Sequence, residues 1–346
     1  MFQSVSLPFL ILIFGFAAAI VWKAGVIVSD TVDDLSKRLH LGEALGGLIV
    51  LAIVTNLPEI AITATAALHH DIGIAVGNIL GGIAIQTVVL VLLDARIRDP
   101  RPLTSQIASI MPALEGILVV TVLIAAIMGA QMPSSVVLFR LTPEDILITV
   151  FWVVGVVIIA KARKHLPWRL KENEGAPRKP AAPQGKERTL AKASLLFAAG
   201  AAATLIAGLV LEQSGEVIAH HIHLSGLLFG ATALAAATAL PEISTGLEAV
   251  KLGDYELAVG DIFGGNAFLP VLFLLATLLS GRPALPQAQK SDLYLAALGI
   301  LLTAVYIAGL LLRRPKRILG IGVDSLIVLV LYILGIIGLV AIAHAK

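Results

Sequence analysis

Long apolar stretches recur along almost the whole chain, and this feature restricts the possible folds more than any other. A helix needs about 20 mostly apolar residues to cross about 30 Å of hydrocarbon. Ten stretches meet that requirement, at residues 8–28, 42–68, 72–93, 107–130, 144–162, 192–212, 224–250, 256–280, 292–312 and 321–343. They lack the strict alternation of apolar and polar residues found in strands of membrane β-barrels. The sequence therefore predicts an all-α polytopic membrane protein with about ten transmembrane helices.

The composition excludes several classes of protein. Hydrophobic residues make up 58% of the 346 residues and charged residues 14%, whereas soluble domains contain about 25% charged residues. The absence of cysteine excludes disulfides, thiolate metal sites and thiol nucleophiles. No HExxH, GxSxG or Walker motif occurs, so neither a membrane protease nor an ATP-driven pump is indicated, and we predict that the protein is not an enzyme.

Positively charged residues indicate how the chain crosses the membrane. The segment 163–191 is the longest polar stretch, and it separates a first five-span unit, residues 1–162, from a second one, residues 192–346. If this loop is cytoplasmic, 20 Lys and Arg residues lie on its side and 4 on the other. The positive-inside rule then predicts a cytoplasmic loop and outward-facing termini in the plasma (cell inner) membrane. The first eight residues contain no Lys or Arg, which favours a retained first helix over a cleaved signal peptide.

The two units contain a repeated sequence. Residues 40–88 align without a gap to residues 223–271, with 21 identities in 49 positions and an offset of 183. This offset pairs Glu59 with Glu242, and Asn78 with Asp261. Because each unit has five spans, an odd number, the two units must have opposite orientations in the membrane. Inverted five-helix repeats of this kind are typical of secondary transporters.

Each repeat places an acid directly after a proline in the middle of an apolar span. Pro58 and Pro241 cannot donate the usual helical hydrogen bond, so each helix is predicted to kink or break just before Glu59 or Glu242. Hydroxyl groups lie four residues before the acids, on Thr55 and Thr238. Carboxylate, hydroxyl and freed carbonyl oxygens are the ligands that hard cations prefer. The alternative is that the two acids are structural partners in helix–helix contacts.

A glycine-rich motif follows each acid, at residues 77–82 and 260–265. Its small residues allow close helix packing. Asn78 and Asp261 lie 19 residues after their respective acids, and we expect both to line the ion pathway. Weaker candidates are the other polar residues within spans, namely Asn56, Thr63, Gln86 and Asn266. The histidines at the span ends are expected to be solvent-exposed loop residues rather than metal ligands, namely His69, His70, His220, His221 and His223.

Residues 54–87 and 237–269 resemble the paired α-repeats of the cation/calcium exchanger superfamily, which includes sodium/calcium and calcium/proton exchangers. The resemblance covers most of the chain outside the central loop. It implies that Glu59 and Glu242 coordinate calcium. It also implies further ion ligands at the hydroxyls of Thr55 and Thr238 and at the backbone carbonyls of Ala52 and Ala235.

The sequence departs from the family's motifs at several positions. The family's GTSLPE reads VTNLPE and ATALPE here, so the serine is replaced by Asn56 and Ala239. The serine of the family's GSN motif is replaced by Gly82 and Gly265. The amide or acid four residues later corresponds to Gln86 and Leu269. Because several hydroxyls that bind sodium are missing, the resemblance implies calcium transport more strongly than sodium coupling.

The sequence thus predicts a secondary active antiporter that exchanges Ca²⁺ for H⁺ or Na⁺ by alternating access at a carboxylate site near the bilayer midplane, called the midplane site below. Glu59, Glu242 and Asp261 are the predicted metal-ligating carboxylates, and Gln86 and Asn266 are further predicted cation ligands. A monovalent cation/proton antiporter on the same fold is an alternative, and a cation channel or a membrane-embedded binding scaffold is an alternative from another class. We expect no resident cofactor. The expected partners are inorganic cations and the lipid bilayer, without nucleic acid.

Overall fold

The computed structural model describes residue 2 and residues 4–38, 53–133, 141–165, 189–224 and 226–344, and almost all of them are helical. The first half contains α1 (Leu7–Arg38), α2 (Leu57–Leu68), α3 (Ile72–Arg96), α4 (Leu103–Gln106), α5 (Met111–Gly129) and α6 (Pro143–His165). The second half begins with α7 (Leu190–His221), α8 (Gly226–Phe229), the π segment (Gly230–Leu234) and α9 (Ala235–Thr238). It continues with α10 (Leu240–Lys251), α11 (Tyr255–Phe268), a 3₁₀ turn (Leu269–Val271) and α12 (Leu272–Ser280). A second 3₁₀ turn (Leu285–Gln287), α13 (Lys290–Leu312), the short strands β1 (Arg317–Ile318) and β2 (Ile321–Gly322), and α14 (Val323–His344) complete the described chain.

Eight helical segments within the described residues are long and apolar enough to cross a membrane. They are Leu7–Val28, Ile72–Arg96, Met111–Gly129, Pro143–Arg163, Leu190–His221, Tyr255–Ser280, Lys290–Leu312 and Val323–Ile342. The chain is therefore a mostly helical, polytopic integral membrane protein. Its exact number of spans, predicted to be ten, and the opposite orientation of its halves stay predictions.

The helices that contain the two central acids are interrupted at equivalent positions. The backbone leaves the helical conformation at Asn56 (φ −87°, ψ 17°) and at Ala239 (φ −77°, ψ 2°), which are 183 residues apart. Helices α2 and α10 begin immediately afterwards, with Pro58 and Pro241 in their first turns. The predicted break before each acid is confirmed, since a proline at this point cannot continue the preceding helix.

Apart from the break at Asn56 in residues 42–68, two of the predicted spans are not continuous helices. Residues 224–250 are divided among α8, the π segment, α9 and α10, because the chain widens at the π segment and breaks again before Pro241. Residues 256–280 contain a 3₁₀ turn at Pro270 between α11 and α12. The break before Pro241 is predicted from the sequence, whereas the π segment and the 3₁₀ turn are backbone irregularities that hydropathy alone does not reveal.

Helix α3 lies at the centre of the molecule. It contacts α2, the π segment, α10, α11, α13 and α14, and its sequence is apolar on nearly all sides, as expected for a helix surrounded by protein. On the periphery, α1 packs along α7. These two helices expose large apolar side chains, including Phe9, Phe16, Leu195 and Ile206. Exposed apolar surface of this extent is typical of helices that face lipid.

A network of hydrogen bonds connects the C-terminal end of α3 to the start of α14. The Asp94 carboxylate accepts hydrogen bonds from the backbone N–H groups of Leu103 (2.8 Å) and Gly322 (2.6 Å). The Arg317 guanidinium donates to the carbonyl oxygens of Asp94 (2.9 Å) and Ile97 (3.0 Å). These hydrogen bonds and the β1–β2 hairpin hold the C-terminal end of α3 in place. That end lies away from the π segment.

Candidate functional site

Glu59 and Glu242 occupy equivalent buried positions in the two halves of the chain. Both are fully buried, and each lies in the first turn of a helix that starts after a backbone break. The N-terminus of a helix carries a partial positive charge that favours an anion. The two carboxyl groups interact electrostatically with each other, so they share one polar centre between the two halves.

Each half of the chain supplies a hydroxyl to the acid of the other half. The Thr238 hydroxyl faces the Glu59 carboxyl, and the Thr55 hydroxyl faces the Glu242 carboxyl. The Thr238 hydroxyl also donates to the carbonyl of Ala235 at 3.1 Å. This reciprocal arrangement follows from the repeated sequence, because the four residues occupy equivalent positions in the two repeats.

Several carboxyl oxygens at this centre lack hydrogen bonds. Within the described residues, Oε2 of Glu59 and both Oε atoms of Glu242 accept none. A buried charged group without a partner costs several kcal/mol, because burial removes its hydration. A bound cation would satisfy these oxygens, and they are the hard ligands that Ca²⁺ and Na⁺ prefer.

Two amides complete one side of this polar centre. The Gln86 Nε2 lies 3.3 Å from Oε1 of Glu59 and 3.5 Å from Oδ1 of Asn56. A Cβ atom added at Gly265 would lie 2.8 Å from Nδ2 of Asn56. The Asn56 side chain therefore occupies the space that a side chain at position 265 would need. Asn56 thus fills the space of the serine that is missing at position 265, and Gln86 lies beside it, with its Oε1 3.7 Å from a Cβ added there.

Asn266 joins α11 to α3. Its Nδ2 donates to the Thr87 hydroxyl at 3.1 Å and to the carbonyl of Ile83 at 3.4 Å. Its Oδ1 accepts no hydrogen bond from any described residue. The side-chain oxygen of Asn266 is thus available at the helix interface, while its nitrogen holds the interface together.

Asp261 and Asn78, which are equivalent in the repeat, have different surroundings. Asp261 is 4% exposed, and its Oδ2 accepts a hydrogen bond from the Thr245 hydroxyl at 2.7 Å. It also acts electrostatically on Glu242. Asn78 is fully buried beside the π segment, and its side chain makes no hydrogen bond with the described residues. Asp261 thus belongs to the polar centre, whereas no described contact joins Asn78 to either acid.

The backbone carbonyl predicted as an ion ligand in the second half already accepts hydrogen bonds. The carbonyl of Ala235 already accepts hydrogen bonds from the Thr238 hydroxyl and from the N–H of Ala239 at 3.0 Å. It would therefore coordinate an ion in addition to these bonds or after losing one. Ala52 lies outside the described residues.

The described residues do not show the three acids predicted as metal ligands arranged as a preformed metal site. In the described ranges, no group of three or more His, Cys, Asp or Glu side chains is arranged to hold a metal ion. Glu59, Glu242 and Asp261 are thus not gathered around one point, and the centre offers a mixture of carboxyl, hydroxyl and amide oxygens instead. His220 and His221 lie in the last turn of α7 rather than in a loop, and both are exposed.

Three polar residues near the site did not emerge from the sequence. Thr245 binds Asp261, and Thr87 binds Asn266. Glu115 is buried in α5 and interacts electrostatically with Asp261. The threonines give no signal in the sequence, because their partners depend on helix packing. Glu115 could have been found, since an acid within an apolar span is rare and usually functional.

The sequence matches the family described as sodium/calcium exchanger protein over residues 9–169 and 192–341. Inner membrane protein YrbG of Escherichia coli (strain K12) is 28% identical over 292 residues, covering 84% of this chain and 85% of its own length. The putative antiporter CaxA of Alkalimonas amylolytica is 27% identical over 307 residues, covering 87% of this chain and 90% of its own.

Two solved exchanger structures share the fold. A structure of the sodium-calcium exchanger NCX_Mj, soaked with Na⁺ and Sr²⁺, has a TM-score of 0.63 at 18% identity and covers 96% of this chain and 99% of its own. The crystal structure of the H⁺/Ca²⁺ exchanger CAX has a TM-score of 0.67 at 13% identity and covers 97% and 88%, respectively. Together with the family match over both halves, these likenesses show that the chain belongs to the sodium/calcium exchanger family, within the cation/calcium exchanger superfamily.

Proposed function

We propose that this protein is a secondary active antiporter of the cell inner membrane that exchanges Ca²⁺ for a counter-ion at the Glu59–Glu242 centre. One observation carries the proposal. Two fully buried acids follow equivalent helix breaks and face each other's threonines, and some of their carboxyl oxygens accept no hydrogen bond from any residue that the structure describes. Members of the family exchange inorganic cations, and this geometry supplies the oxygen ligands that such exchange requires.

In this mechanism the two acids bind the cation and the neighbouring groups position them. Glu59 and Glu242 supply the charge, and the Thr55 and Thr238 hydroxyls face the same space. Gln86 holds one oxygen of Glu59 in place. When the cation leaves, two buried carboxylates repel each other in a medium of low dielectric constant. The empty protein therefore returns more readily with a counter-ion, which makes exchange favourable over one-way transport.

We favour protons over sodium as the counter-ion. Gly82, Gly265 and Ala239 remove hydroxyls that a sodium site would use. Carboxyl groups in a water-poor site cannot all stay ionised without a cation, so a proton can replace the departing Ca²⁺. Rebinding of Ca²⁺ would then release that proton, which couples the two ions. Sodium is the second candidate, because the paired amides of Asn56 and Gln86 offer it replacement ligands.

Uptake of ⁴⁵Ca²⁺ by proteoliposomes tests this function when the pH gradient and the sodium gradient are imposed separately. We expect a pH gradient in sodium-free buffer to drive calcium uptake. If only a sodium gradient at fixed pH drives uptake, the counter-ion is sodium. Calcium flux that needs neither gradient would contradict exchange and indicate a channel. Sodium flux driven by a pH gradient, without calcium flux, would indicate a monovalent cation antiporter.

A further inference from the structure

A buried acid lies outside the Glu59–Glu242 centre. Glu115 is in the second turn of α5, within a transmembrane segment, and is 3% exposed. Neither of its carboxyl oxygens accepts a hydrogen bond from a described residue. A carboxylate in this setting needs a positive partner, because burial without one is costly.

The positive partner is Arg163, which reaches Glu115 from the end of α6. Its Nη2 lies 3.6 Å from Oε1 of Glu115 and 3.9 Å from Oε1 of Glu256 at the start of α11. Hydrogen-bonded ion pairs of this type have distances of about 2.7–2.9 Å, so Arg163 is held loosely by both acids. The side chains of Arg163 and Glu256 are about one-third exposed. The guanidinium thus stands between a buried acid and a solvent-accessible one.

The Glu115 carboxyl group also lies against α11, the helix that carries Asp261. A Cβ atom at Gly260 would lie 3.1 Å from Oε2 of Glu115, so the carboxyl group rests on α11 one residue before Asp261. Asp261 acts electrostatically on Glu115 and also on Glu242. Glu256 and Glu115 thus share Arg163, and Asp261 interacts electrostatically with both Glu115 and Glu242.

Arg163, Glu115 and Glu256 lie on the side of the protein where α6 ends at His165, just before the central loop in the sequence. We call this the loop side. In the other repeat, the offset of 183 places Leu298, a buried apolar residue, at the position equivalent to Glu115. The acid at this depth is therefore a feature of one half of the chain, which a purely structural role common to both repeats would not produce.

We propose that Glu115 and Glu256 form a cation station on the loop-side route to the midplane site, and that Arg163 occupies this station when no ion is passing. An arriving hard cation displaces the guanidinium, is held by the two carboxylates, and then moves on toward Asp261 and Glu242. Removal of the guanidinium leaves the station open to solution cations. The transport part of this inference rests on the proposed exchange function.

The transport test compares inside-out and right-side-out membrane vesicles. We expect Glu115→Gln to raise the half-saturating Ca²⁺ concentration on the loop side by about fivefold, which corresponds to about 1 kcal/mol, and to leave the opposite side unchanged. Arg163→Gln should lower the loop-side value. The matched control is Glu248→Gln, because Glu248 is exposed at the same end of the bundle and pairs with Lys251 at 3.2 Å. Equal shifts on both sides, or no shift, would overturn the station.

A binding test separates this inference from the exchange function. In the double variant Glu59→Gln/Glu242→Gln, the midplane acids are removed, so residual ⁴⁵Ca²⁺ binding to the purified protein reports other sites. Adding Arg163→Gln should create measurable binding, and adding Glu115→Gln as well should remove it. Unchanged thermal midpoints would show that each variant is folded. If wild-type protein exchanges no cations but this binding pattern appears, the exchange function fails and the station stands. If exchange is normal and the pattern is absent, the station fails alone.

Discussion

Two adjacent glycines of α3 face different neighbours, and replacing each with alanine measures how closely α3 fits the π segment. A Cβ atom at Gly81 would lie 2.9 Å from the Cβ of Ala231 and 3.2 Å from its carbonyl carbon, and it would lie closer still to its Cα. A Cβ atom at Gly82 would meet only Cδ1 of Leu269, at 3.4 Å. Comfortable carbon–carbon contacts begin at about 3.5 Å.

These distances give the expected change in stability for each alanine variant. At Gly81 the obstructing atoms belong largely to backbone, so the helix and the π segment must move apart by at least about 0.6 Å to restore a normal contact. Overpacking of this kind typically costs about 1–3 kcal/mol. Alanine also improves helix propensity over glycine by about 1 kcal/mol, and this gain is the same at both positions. The difference between Gly81→Ala and Gly82→Ala should therefore be about 1–3 kcal/mol in favour of Gly82→Ala.

The assay is the thermal unfolding midpoint of both variants in one detergent, followed by calcium uptake in proteoliposomes. We expect Gly81→Ala to unfold at a lower temperature and to exchange more slowly, because α3 also carries Gln86, whose Nε2 lies 3.3 Å from the Glu59 carboxyl. Gly82→Ala should unfold at or above the wild-type temperature. If the two variants have equal midpoints, the close approach of α3 to Ala231 is refuted.

Three further predictions concern charge, topology and a supporting hydroxyl. Glu59→Gln and Glu242→Gln should each abolish calcium exchange while leaving folded protein in the membrane, since Gln keeps the shape but removes the charge; near-normal exchange in either purified variant contradicts the assignment. Replacing Arg178 with cysteine should give a site that an impermeant maleimide cannot label from outside intact cells, because the central loop is predicted to be cytoplasmic; labelling from outside reverses the topology. Thr245→Val removes the 2.7 Å hydrogen bond to Asp261 and should weaken calcium binding by about 0.5–1.5 kcal/mol, as measured by ⁴⁵Ca²⁺ binding; unchanged affinity would show that Asp261 does not depend on this hydroxyl.

The sequence was most informative where one residue determines the local backbone. Pro58 and Pro241 predicted the breaks that the structure shows at Asn56 and Ala239, because a proline cannot donate the helical hydrogen bond. The π segment was not predictable, since a local widening of a helix leaves no mark on apolar periodicity.

Side-chain partners were less predictable than positions. Gln86 was identified as a polar residue within a span, but its contacts with Glu59 and Asn56 depend on how α3 crosses α2. The Arg163 contacts join α6 both to the preceding helix α5, through Glu115, and to the distant helix α11, through Glu256. Such contacts depend on how the helices cross and rotate against one another, which cannot be predicted from a single sequence.

The placement of Asn56 in the space left by Gly265 makes the two repeats dependent on each other. Asn56 is larger than its repeat equivalent Ala239, whereas glycine occupies both Gly82 and Gly265, so this close contact depends on the bulk of Asn56 in one repeat and on the absence of a side chain at Gly265 in the other. In a natural relative or an engineered chimera, a larger residue at position 265 should be tolerated only together with a smaller one at position 56. The residues at positions 56 and 265 therefore determine which second repeats can pack against this first repeat.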